Sequence, residues 1–125
     1  MTRRRGERGI RPERVAEQLR MDTAEILQNE IKDPRVRFVT CTRVQVSPDL
    51  KHAKLYVSVL SDENTRMKAM HALEGATGFV RRRLSERLGL RAAPDIQFVY
   101  DPSVEYGIRL EELIRQTHED EGEET

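Results

Sequence analysis

The chain has 125 residues, of which 35% are charged, 37% hydrophobic and only 5% aromatic, and its formal net charge is zero. That length sets one domain with a core of Leu, Ile and Val under a densely charged surface, and the composition argues against an aromatic-lined pocket for a small ligand. A single cysteine, Cys41, excludes an intramolecular disulfide and a thiol zinc site, and with no apolar leader and no apolar run near the roughly 18 residues of a membrane span it sets the expectation of a soluble cytoplasmic protein with no membrane partner.

The zero charge is a sum over unequal segments. Residues 1 to 20 carry seven Arg against three Glu, a net of +4, and residues 111 to 125 carry seven acids against one Arg, a net of −6. The remaining 90 residues are therefore +2, and screening over about 10 Å leaves a local basic surface free to bind phosphate whatever the far end carries.

Residues 1–11 are rich in Arg and Gly with almost nothing to bury, which predicts a flexible basic arm. Pro12 suits a first helical turn, and Val15, Leu19, Ile26, Leu27 and Ile31 recur at helical spacing over 12–32 until "KDPR" stops the helix. From Phe38 the period falls to two. Phe38, Thr40, Thr42, Val44 and Val46 predict one strand face, "SPDL" predicts a turn, and Ala53, Leu55, Val57 and Val59 alternate with polar neighbours in a second, antiparallel strand.

Ser61 or Asp62 caps the next helix, whose apolar face reads Met67, Met70, Leu73, Val80, Leu84 and Leu88, and Gly89 stands where a left-handed C-terminal cap belongs. Gly75 and Gly78 interrupt this pattern, and two glycines at roughly 1 kcal/mol each predict a break into two helices. "DIQFVYD" is a third strand with Ile96, Phe98 and Tyr100 on one face. A weaker helical pattern, Val104, Ile108, Leu113 and Ile114, then runs into "THEDEGEET", and residues 115–125 are expected to be a disordered acidic tail. A strand, a helical crossover and another strand run parallel in one sheet, so the sequence predicts a single α+β domain over 12–114 with a three-stranded mixed sheet backed by helices.

Gly75-Ala76-Thr77-Gly78 has the form G-x-x-G, which a KH domain places between its two central helices to meet nucleic-acid phosphates. The same glycines also fit a packing kink with no ligand. Arg81, Arg82 and Arg83 spread over some 200° of helix surface, with Arg83 and Arg87 on one flank and Arg91 past the cap; a solvated face and a phosphate-binding face both fit. Phe79 fits a stacking platform or the core. Catalytic groupings are thin. His52, His71 and His118 lie far apart with no partner at triad or metal spacing, Cys41 reads as a strand residue, and no Walker-type lysine follows the glycines. No enzyme, metal or cofactor is expected.

Three stretches, "VQVSPDLKHAKLYVSVL" (44–60), "ATGFVRRRL" (76–84) and "LRAAPDIQFVYDPSVEYG" (90–107), closely resemble the bacterial ribosome-binding factor A family, and the resemblance runs from about Pro12 to Leu113. It implies one KH-like domain, helix-strand-strand-helix-kink-helix-strand (the type II order), in which a kinked Ala-x-Gly, here Ala76-Thr77-Gly78, replaces the usual loop. It also implies a small ribosomal subunit assembly factor, monomeric when free, that binds the immature subunit at its precursor rRNA and assists late maturation, 5′-end processing and cold adaptation. Release by an assembly GTPase is a further family property. The residues expected to meet RNA are Ala76, Thr77, Gly78, Arg81, Arg82, Arg83, Arg87 and Arg91. The rival reading is a protein-interaction module in which RNA contact is incidental.

Overall fold

The computed structural model describes residues 12–89 and 93–124; the expected basic arm and Arg91 lie outside the described residues. Helix α1 (Pro12–Asn29) buries Leu19, Ile26 and Leu27 and ends three residues before the expected stop. The Glu30 and Ile31 amides both turn back to the Ile26 carbonyl, at 2.9 and 3.2 Å. Asp33 then accepts from the Arg35 amide and caps a 3-10 turn, Pro34–Val36, that pushes Val36 into the core.

Strands β1 (Val39–Val46) and β2 (His52–Val59) pair antiparallel, from Val39 opposite Val59 to Val46 opposite Ala53. Their turn is held by side chains: Ser47 Oγ donates to Asp49 at 2.6 Å and accepts from the His52 amide at 3.0 Å, while Leu50 takes a left-handed φ of 60°. The register shifts between Cys41 and Arg43, so Thr42 is an extra residue in β1. This corrects the expected alternation. Cys41, Val44 and Val46 point at the helices opposite Val57, Leu55 and Ala53, and Phe38 is 75% exposed.

Helix α2 (Glu63–Leu88) is the crossover, and β3 (Asp95–Tyr100) returns parallel to β2, giving the sheet order β1-β2-β3. The mixed sheet and helix layer are those expected. The interruption is not: helical hydrogen bonding runs unbroken through Gly75 and Gly78, so two predicted helices are one element of 26 residues. Ala69, Ala72 and Leu73 before the glycines and Val80 and Leu84 after them are all buried, and this shared packing outweighs the weak propensity of two residues. Leu19 and Ile26 of α1 meet Leu55 of β2 and Val80 and Leu84 of α2 in the core.

Beyond β3 the nearly buried Asp101 accepts from Thr42 Oγ1 at 2.9 Å and from the Ser103 amide at 2.9 Å, with Arg43 at 3.7 Å. It joins the end of β3 to β1 and starts helix α3 (Ser103–Glu124). The segment expected to be a tail without structure from residue 115 is thus helical to Glu124. Its sequence reads as a tail because it is polar and acidic with no apolar residue to bury, and every residue from Ile108 to Glu119 is exposed.

Candidate nucleic-acid interface

Asp62 anchors the start of α2, its carboxylate accepting from the Thr65 amide at 2.7 Å, and Gly89 at φ +65° closes its end. Between these caps the outward face carries an unusual surface. His71, Gly75, Gly78 and Arg82 follow at steps of four, three and four, which places them within about 60° of one another around the helix, and all are exposed. A Cβ added at either glycine meets no heavy atom within 4 Å. The helix backbone is therefore bare along this strip, with Lys68 at one end and Arg82 at the other. Ala76 and Thr77 sit beside it, half-buried, and the Thr77 hydroxyl donates to the Leu73 carbonyl at 3.0 Å, so it is engaged within the helix.

A groove of about 810 Å³ separates this helix from β3, lined by Arg66, Met70, His71 and Thr77 on one side and by Ile96 and Phe98 on the other. Sequence reasoning missed it because Ile96 and Phe98 read only as a strand face; the groove exists once β3 pairs parallel to β2 beneath α2. Phe79 is half-buried and packs against the core.

The arginines expected to act together are placed apart. Arg81 donates to the Ala93 carbonyl at 3.2 and 3.3 Å and pairs with Asp95 at 2.9 Å, tying α2 to the start of β3. Arg83 pairs with Glu30 and Glu86, each at 2.5 Å. Arg87 reaches Glu25 at 2.5 Å, Glu30 at 2.7 Å and Asp22 at 3.4 Å. The Arg87 and Arg83 guanidiniums hold the Glu30 carboxyl below its ordinary range, and Glu25 and Glu30 in turn raise Arg87. These two arginines clamp α2 to α1. Arg82 has no such partner among the described residues, so its charge faces solvent.

Other chemistries find little purchase. Burial pushes the Cys41 thiol up to about 11, which keeps it protonated and unreactive. Among the described residues, no group of three or more His, Cys, Asp or Glu is placed to hold a metal ion, and no helix is long and apolar enough to cross a membrane.

Comparison with known proteins agrees with this architecture. The family profile of ribosome-binding factor A matches residues 11–114. The ribosome-binding factor A of Halothermothrix orenii is 43% identical over 111 residues, covering 89% of this chain and 91% of that one. The solution structure of a ribosome-binding factor A from Thermotoga maritima superposes with a TM-score of 0.63 at 34% identity, over 69% of this chain and 82% of that one. A Thermus thermophilus ribosome-binding factor A, described as fitted into the cryo-EM map of its complex with the 30S subunit, superposes with a TM-score of 0.60 at 28% identity, over 70% and 91% of the two chains. The α-β-β-α-β body with its mixed sheet is a KH-like α+β fold, and the chain belongs to the ribosome-binding factor A family.

Proposed function

We propose that this protein is a non-enzymatic assembly factor that binds the immature small ribosomal subunit at its rRNA and assists late maturation and 5′-end processing, including adaptation to cold. The observation that carries this reading is the family match across residues 11–114, which spans nearly all of the folded body. The fitted T. thermophilus relative supports the small subunit as the receptor. Cytoplasmic location, a monomeric free state and release by an assembly GTPase belong to the same reading.

The surface of α2 suggests how RNA is held. A helix strip without side chains at Gly75 and Gly78 lets a phosphodiester backbone come close, and Arg82 and Lys68 supply charge to its phosphates. Met70, Ile96 and Phe98 offer an apolar floor for an unstacked base. Arg81, Arg83 and Arg87 then contribute by fixing the position of the strip, while Ala76 and Thr77 form its edge.

Sedimentation of the purified protein with precursor small subunits tests the reading. The expected result is co-migration that is lost when exposed rRNA is digested with ribonuclease and weakened by Arg82→Glu. Protein that stays at the top of the gradient with intact precursors overturns it. Binding that survives ribonuclease undiminished favours the protein-interaction module, the second reading, which the exposed helix α3 supports.

A further inference from the structure

Six of the ten large apolar side chains exposed among the described residues lie on one element, α3. At about 100° per residue, Tyr106, Leu110, Leu113 and Ile114 fall within roughly 100° of its circumference, with Thr117 between them. They are 65%, 43%, 56% and 50% exposed. A stripe of that width is the signature of a helix packed on a partner, and none of the described residues covers it.

The charge around the stripe identifies the kind of partner. From residue 111 onward the sequence has seven acids and one Arg. Such a helix is repelled by rRNA phosphates and attracted to a basic surface. The family match stops at residue 114, so the acidic half of α3 is an extension beyond the shared body. Its base is fixed by Asp101, which bonds both β1 and the first turn of α3 and so sets where the helix leaves the sheet.

We propose that α3 docks its apolar stripe into a groove on a basic protein of the small subunit, while α2 holds the rRNA. The mode is an amphipathic helix laid in a groove, with Tyr106, Leu110 and Leu113 as anchors and the net negative charge of the helix steering association. This rests on the small-subunit reading above.

The test places a photoreactive benzophenone amino acid at position 113, or at position 112 on the other side of the helix, and irradiates the full-length protein bound to purified precursor subunits. The expected product is an adduct from position 113, and not from 112, to a ribosomal protein of basic composition identified by mass spectrometry. In parallel, Leu110→Ser with Leu113→Ser weakens subunit binding about tenfold, the loss of two interface anchors, without changing the unfolding transition. Adducts to rRNA, to a second copy of this chain or to no protein, or an unchanged affinity of the double variant, overturn the proposal while leaving the small-subunit reading intact. Failure of the unmodified protein to co-sediment overturns that reading, and this proposal with it.

Discussion

Gly75 and Gly78 differ from Gly89 in what they ask of an alanine. At the first two the added methyl enters open space on a regular helix, whereas Gly89 has φ +65°, where a Cβ strains against the following carbonyl. Gly75→Ala and Gly78→Ala are therefore each expected to stabilise the fold by up to about 1 kcal/mol, and Gly89→Ala to destabilise it by about the same amount. Urea unfolding of the three variants checks this. The reading of Gly78 as a kink that alanine cannot adopt predicts the opposite sign at that position, and the uncrowded site removes its basis. A methyl at Gly78 that raises stability while lowering subunit affinity places the value of the glycine on the outside of the helix. Residue type alone carries no such distinction, because the same letter serves a left-handed cap and a bare strip.

At the scale of elements, the clamp between α1 and α2 depends on charge. The Glu30 carboxyl is held low by Arg87 and Arg83, and in the link that follows α1 Asp33 is lowered to about 2 by Arg35. Groups whose folded values are depressed add stability that is present above their ordinary range and lost as pH falls through the folded value. The thermal midpoint is therefore expected to fall as pH drops from about 4.5 toward 2, and Arg87→Ala is expected to lower the midpoint at neutral pH and to reduce that acid-dependent loss. Calorimetry across the pH range measures both. Deleting residues 117–125 is expected to leave the midpoint nearly unchanged, because Thr117, His118 and Glu119 are exposed and the sequence beyond them has no apolar residue to bury. Strands, caps and the end of β3 were legible from period, Asp62 and Gly89. The facing of β1 was not: the extra residue at Thr42 flips Cys41 inward and Phe38 outward, and it answers to Asp101, 59 residues away in sequence. The groove under α2 was hidden for a different reason: the parallel pairing is legible from the crossover, but which side chains of β3 line the space beneath the helix is not.

Taken as a whole, the molecule separates its charges. The positive surface of α2 and the acids of α3 belong to different elements, and their cancellation in the sum says nothing about either. If about four phosphates are neutralised, log affinity for the precursor subunit is expected to fall with log salt at a slope near −3, and Lys68→Glu with Arg82→Glu to flatten it by about 1.5. A salt titration of binding decides this, and an unchanged slope moves the RNA contact away from α2. The parallel pairing of β2 with β3 has a consequence in time. His52 pairs with Asp95 and Val57 with Tyr100, each across 43 residues, whereas β1 and β2 meet across a short turn. Loop closure is fast for the hairpin and slow for the crossover, so the hairpin forms early and β3 seals the sheet last. Pulse-labelled hydrogen exchange during refolding is expected to protect Val44 and Leu55 before Phe98. Until that strand arrives the groove has no second wall, and a nascent chain released before Tyr100 has been added carries the glycines without the site.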